Sequence, residues 1–265
     1  MGNWNVAAAD FSVAMGSGSQ AHGVVATAMG NNTRAMGYGS TTMGGESVAN
    51  GNYSLSAGKN TVAGGHYSLA VGNYTHAAGH FSTAIGNASI AYGETSTAIG
   101  GACVTSGVYS IALGISSSTS TNAYAGVAMG EGSYSNGAAA MAFGKQCNAS
   151  GGFSTATGLM SWALGYATVA MGNESHAFAD HSTAIGLFAE SKSVGSTAIG
   201  HYNKAIGNPS VAWQPTDSLF EIGNGSSQVR SNALTVYRNG NMEVQGTVTC
   251  APGGNIPMFT GTNQQ

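Results

Sequence analysis

The chain holds 265 residues with 42 Gly, charged residues at 6% and a net charge of −3. Ordinary domains carry about 25% charged residues and about 7% Gly, so a charge-lined catalytic cleft is excluded, and 7 scattered Lys and Arg exclude the basic footprint of a nucleic-acid binder. Only 4 Pro with 42% hydrophobic residues exclude collagen and disorder, while no apolar run approaches the ~20 residues of a membrane span and no signal peptide opens the chain.

From the N-terminus, six-residue blocks of one type recur every 14 residues: FSVAMG at Phe11, VATAMG at Val25, then blocks at Gly39, Tyr53, Tyr67, Phe81, Thr95 and Tyr109. A two-residue insertion within Ile115 to Tyr124 (ISSSTSTNAY) interrupts them, and the series resumes at Ala125, Ala139, Phe153, Ala167, His181, Gly195 and Pro209, fifteen blocks in all. Met1 and Gly2 fall on the positions of Met15 and Gly16, so the chain starts in mid-repeat and reads as part of a longer protein.

Each block alternates with the two-residue period of a strand. One face is small, as in Ser82, Ala84 and Gly86; the other carries Met15, Met29, Val71, Ile85, Ile99, Leu113, Ile185 and Ile199. A second, shorter strand follows in each repeat, again small on one side (Thr33, Ala35, Gly37). Two parallel strands per coil make a flattened β-solenoid whose thin interior admits only Ser, Ala and Gly, rising ~4.8 Å per coil to a rod of roughly 70 Å. Glycines closing each strand supply the positive φ of the reversals. The larger face forms an apolar outer stripe along the rod, and such stripes favour symmetric self-association. The second strand's outer column (Gln20, Arg34, His76, Tyr134, Trp162, Glu190) is irregular and reads as exposed.

Cys103 and Cys147 share a column with Ser19, Thr33, Ser89 and Ser133 and stand three coils apart, too far for a disulfide; Cys250 lies in the tail. No cofactor and no metal is expected. The nearest approach to a metal set is His66 and His80, with Asn52 before and Glu94 after in one turn column, and His176, Asp180 and His181 are a weaker cluster. Asn-x-Ser/Thr strings at Asn31, Asn73, Asn87 and Asn173 are products of the periodicity, and no catalytic elbow or carboxylate pair is present, so the chain reads as non-enzymatic. Binding falls to exposed aromatics, Trp162, Tyr134, Tyr92 and Phe178, and to the insertion, represented by Ser118 and Asn122.

The blocks FSTAIGNASIAYGE from Phe81 and HSTAIG from His181 resemble the head repeat of the trimeric autotransporter adhesins, the YadA-like head. The resemblance implies an all-β, left-handed parallel β-roll over 1–214, three chains packed side by side as a homotrimer, and attachment to a cell-surface glycan or protein of a host, prey or matrix. It places the fibre extracellularly, at the cell surface and associated with an outer membrane. No heptad neck or stalk follows. The segment 215–265, with SLFEIGNGSS and NALTVYRNGNMEVQGTVT and a hairpin turn at Asn239-Gly240, resembles the connector that precedes a self-cleaving chaperone in phage tail fibres and bacterial surface fibres. A receptor-binding tail fibre of a virion is therefore the alternative within the same physics. An ice-binding solenoid is the alternative of another class, resting on an interrupted Thr column (Thr27, Thr41, Thr83, Thr97, Thr155, Thr183, Thr197).

Overall fold

A computed structural model describes residues 3–209 and 214–246. Fourteen coils follow one another, each with a five-residue strand, the first Val13–Ser17 and the last Thr197–His201, and a two-residue strand, the first Val6–Ala7 and the last Glu190–Ser191. Each strand kind forms its own sheet, with every strand parallel to its successor. The register equals the sequence period: Leu69, Ala70, Val71 and Gly72 pair with Thr83, Ala84, Ile85 and Gly86. Side chains one repeat apart are therefore direct neighbours in a column.

The interior is as small as the sheet spacing requires. Ala70, Ala84, Ala98 and Ala112 from the long strands and Ala63, Ala77 and Ala91 from the short ones are fully buried. Most hydroxyls share this space because a carbonyl or another hydroxyl lies within reach, while Ser40, Thr42, Thr75, Ser154 and Ser182 are buried without a partner. Ser19, Ser89 and Ser161 donate to Gly30, Gly100 and Gly172 of the next coil, each at 3.0 Å, while Ser54, Ser68 and Ser82 donate at 2.6 Å to Gly51, Gly65 and Gly79 of their own turns. A buried hydroxyl without a partner costs about 1–3 kcal/mol, so the regular spacing of these acceptors makes a Ser-rich core workable.

Four features depart from the sequence reading. The long-strand glycines are half-buried, as at Gly86, or exposed, as at Gly44, rather than interior; their φ is positive, +119° at Gly86, and a Cβ there would run into the Gly100 carbonyl. The reversals themselves are mostly not glycine. Tyr53, Tyr67 and Phe81 sit at one apex with φ of 56°, 58° and 56°, and Asn60, Tyr74 and Ala88 at the other with 54°, 55° and 55°. Left-handed geometry costs a side-chain-bearing residue about 1–2 kcal/mol. Hydrogen bonds from one coil to the one before offset it: Tyr67 and Phe81 N–H donate to Asn52 and His66 carbonyls, both at 2.9 Å.

The two extra residues also lie further on than Ser118. Val104 and Thr105 pair with Ser118 and Thr119 at the ordinary 14-residue step, and only the next pairing, Ser118 with Tyr134, takes 16. Ser118 is thus a half-buried strand residue, whereas Asn122 is exposed on the enlarged loop that follows Thr119. There the Asn122 N–H donates to Ser120 Oγ at 3.1 Å.

Of the fifteenth block, which begins at Pro209, Ser210 to Trp213 lie outside the described residues. Its first residue would have to occupy an apex of positive φ, and proline is locked near −65°. The place beside Thr197–His201 is taken instead by Ser218–Asn224, with Phe220, Glu221, Ile222 and Gly223 opposite Thr197, Ala198, Ile199 and Gly200. Asn232–Tyr237 and Met242–Val244 continue the sheet antiparallel. They join through the expected turn at Asn239-Gly240, where Gly240 has φ 86°.

The short-strand sheet is closed by side chains that imitate a backbone. Asn203, fully buried, accepts the Glu190 N–H and donates to the Glu190 carbonyl, both at 2.8 Å. Asn232 does the same for Lys204, at 2.8 and 3.0 Å. Beneath them Glu221 fills the inner Ala column, accepting from the Ile206 N–H at 3.0 Å and from the Asn203 amide. Arg230 donates to the Phe188 and Asn203 carbonyls, each at 3.1 Å. These contacts consume groups that would otherwise form an open, pairing-competent edge.

Candidate attachment surfaces

The eight apolar residues of the outer stripe fall in one column of the long-strand sheet. Val71, Ile85, Ile99 and Leu113 are successive partners, as are Met15 with Met29 and Ile185 with Ile199. Met15, Ile99 and Ile185 are 50%, 37% and 40% exposed, and the other five are half-buried. No other element of the described residues covers this face, so the chain presents a narrow apolar strip along its axis.

The opposite face, made by the short strands, carries the aromatics. Trp162, 43% exposed, stacks on His176 of the next coil with centroids 4.8 Å apart. His176 meets Phe178 edge-on at 5.7 Å, and Lys192 Nζ stands 5.8 Å from the Phe178 centroid. Glu190 then binds Lys192 at 2.8 Å and Arg230 at 2.7 Å. The structure thus unites Trp162 with Phe178 through His176 and adds a charged rim of Glu190, Lys192 and Arg230. Tyr134 is in the Trp162 column but two coils away, across Asn148. Tyr92 stands apart, edge-on to His76 at 6.2 Å. The column pattern carried His176 and Glu190, but nothing local in sequence announces Arg230, which arrives from the C-terminal segment.

Burial pushes the His76 and His176 imidazoles below their ordinary value, the Glu190 carboxylate opposing the shift at His176. Their neutral forms therefore favour the fold fully above the unfolded value of about 6.5, and that stability is lost as pH falls from there toward the depressed folded values, because the unfolded chain protonates first. His176→Gln is expected to reduce the fall in thermal midpoint between about pH 7 and pH 5. An undiminished fall in that variant would contradict the assignment.

The turn histidines do not converge on a common point. His66 and His80 lie face to face, centroids 4.8 Å apart and 3° from parallel, and the Nδ1 atoms accept the Asn52 and His66 N–H groups at 2.9 and 3.0 Å. Of the second cluster, Asp180 accepts the Tyr166 N–H at 2.8 Å and His181 packs on Tyr166, while His176 belongs to the aromatic face. Among the described residues no group of three or more His, Cys, Asp or Glu is arranged to hold a metal ion, and Glu94 joins neither histidine in such a set.

Cys103 and Cys147 are free and buried, and they follow their serine column. Their Sγ atoms donate to the Gly114 and Gly158 carbonyls at 3.2 and 3.1 Å, and burial pushes both thiols up. With Cys250, outside the described residues, replaced by Ser, both thiols should resist an aromatic disulfide reagent in native buffer and react at once in guanidinium. Prompt reaction of the native chain would show an interior looser than this register allows.

The family model of the YadA head domain repeat matches residues 1–19, 49–75, 63–89, 77–102, 91–117, 106–123, 149–175 and 163–189, which together cover just over half of the chain. No curated protein matches the chain. The matched segments are coils of the solenoid, each bringing a small buried column and an apolar outer one, and on this footing the chain belongs to the YadA head family of adhesin-type surface-fibre repeats.

Proposed function

We propose that three copies of this chain pack along their apolar strips into a fibre segment that attaches to a cell surface through many weak contacts. Heads of this family are structural adhesin modules rather than enzymes, and they belong to fibres exposed outside the cell. The β-roll is assigned to 1–214 and the connector segment to 215–265. The observation carrying the reading is the apolar column from Met15 to Ile199, half-buried to exposed along the outer face of the long-strand sheet. A strip of this kind, burying Met29, Val71, Ile85 and Leu113 further against neighbours, repays association by area removed from water. Three-fold assembly then presents the Trp162, His176 and Phe178 platform, Tyr134, Tyr92 and the Asn122 loop in triplicate, for a surface glycan or protein.

The test separates assembly from contact. Ile99→Asp with Ile185→Asp is expected to give a folded monomer whose attachment to target cells falls about 100-fold, as loss of multivalency predicts. Trp162→Ala should leave assembly intact and weaken each contact. Full attachment by a monomeric variant would overturn the reading.

A further inference from the structure

One edge of the rod carries two side-chain ladders that the apolar strip and the Trp162 platform do not use. At the apex before each long strand, Tyr53, Tyr67 and Phe81 stack with centroids 5.3 and 5.1 Å apart and planes 13° and 0° from parallel, and Tyr38 closes the row edge-on at 5.3 Å from Tyr53. All four rings are about half exposed. The preceding residue in each coil forms the second ladder, Asn52, His66 and His80, also exposed.

The second ladder has a fixed polarity. His66 Nδ1 accepts the Asn52 N–H and His80 Nδ1 accepts the His66 N–H, so in each ring the proton resides on Nε2. Asn52 Oδ1 accepts the Tyr38 N–H at 3.0 Å, leaving its amide Nδ2 as the donor. Backbone bonds thus commit one end of every side chain and leave one donor nitrogen per coil to meet a ligand. Donors and rings both repeat at the coil rise of ~4.8 Å, and the two columns contain no Lys, Arg, Asp or Glu between Tyr38 and Phe81.

We propose that this edge binds a linear, neutral polysaccharide lying along the rod axis, one pyranose ring per coil, each packing its apolar C–H positions against the exposed ring edges of the aromatic ladder and accepting from the His66, His80 and Asn52 donors. The spacing selects the ligand class. An extended peptide advances ~3.3 Å per residue and falls out of step with the donors within one coil, whereas pyranoses joined 1,4 through equatorial bonds advance by nearly one coil rise and stay in step. The absence of cationic side chains in these columns disfavours acidic glycans. The inference rests on the attachment reading and gives it a ligand class at a second surface.

Two substitutions leave the local backbone undisturbed. Tyr67→Gly puts at this apex the residue that the same column has at Gly39, where φ is +60°. His66→Asp keeps an acceptor for the Asn52 N–H, as Asp180 does for Tyr166, and removes the outward donor. Cellohexaose titrated into the full chain is expected to bind in the ~1 mM range or tighter, and each variant to lose about tenfold or more in affinity while circular dichroism and thermal midpoint hold. A flexible α-1,6 glucan of equal length should not bind. No cellohexaose binding by the parent chain, or equal binding by both variants, overturns the proposal; the same null result with attachment to cells intact condemns this site and leaves the adhesive reading standing. Loss of self-association in Tyr67→Gly would also overturn it, since the ladder would then be covered by another copy.

Discussion

Replacing Gly86 by Ala is expected to cost about 3 kcal/mol or more, by combining a backbone region that only glycine adopts cheaply with a forced overlap. Gly86 has φ +119°, and the atom its Cβ would meet is the Gly100 carbonyl, a backbone group held in the next coil's strand and unable to swing aside. Relief requires the two coils to separate, which breaks the pairing of Thr83–Asn87 with Thr97–Gly101. In a solenoid the damage is carried by nearest-neighbour interfaces, so hydrogen exchange should rise in the coils flanking Gly86 before it rises elsewhere. Gly101 provides the control: its Cβ would meet nothing within 4 Å and its φ lies outside the positive range. Gly101→Ala should stay within about 0.5 kcal/mol of the parent in urea melts. Equal stability of the two variants would contradict the packing described above.

Asn203→Ala is expected to destabilise the C-terminal coils by a similar amount, about 3 kcal/mol. It strips both hydrogen bonds from Glu190 and one donor from buried Glu221, each worth about 1–3 kcal/mol when left unmade in the interior. Fraying should start at the last coil and propagate inward, because the short-strand sheet would regain an unpaired edge. Glu221 adds a pH signature. Burial pushes its carboxyl above the ordinary value despite the Ile206 and Asn203 hydrogen bonds, so its contribution is full below the unfolded carboxyl value and is lost as pH rises through the folded one. Glu221→Gln should therefore abolish a pH-dependent part of the C-terminal exchange rates, opposite in sign to that of His76 and His176. A cap indifferent to both substitutions would mean that Asn203 and Glu221 do not close the roll.

Much of this was legible because one period governs both sequence and structure. A 14-residue step in parallel register puts like residues on top of one another, so the buried Ala column, the free Cys103 and Cys147 and the exposed Ile99 strip follow from spacing alone. What escaped lies where periodicity is silent or misleading. Tyr67 and Ala88 in left-handed geometry are held by bonds between coils, which a propensity argument made residue by residue does not contain. The insertion lies within Ile115 to Tyr124 as the period indicates, but in a run of Ser and Thr any alignment puts a small hydroxyl inside, and only the pairing of Val104 with Ser118 places the extra residues after Thr119. Pro209 fits the block pattern yet cannot adopt the apex φ, and Glu221 takes an alanine's place only because Asn203 and the Ile206 N–H await it. For the attachment surface, the outer columns gave the aromatics, but their union with Arg230 depends on a chain return with no periodic signal.

The central claim is that the apolar column is an assembly face. It is tested most directly by the mass of the chain in solution, measured by light scattering at low micromolar concentration. The account predicts three times the 26.3 kDa chain mass, reduced to one in Ile99→Asp with Ile185→Asp. A stable monomer of the parent chain would contradict it, leaving the strip from Met15 to Ile199 exposed to water without a partner.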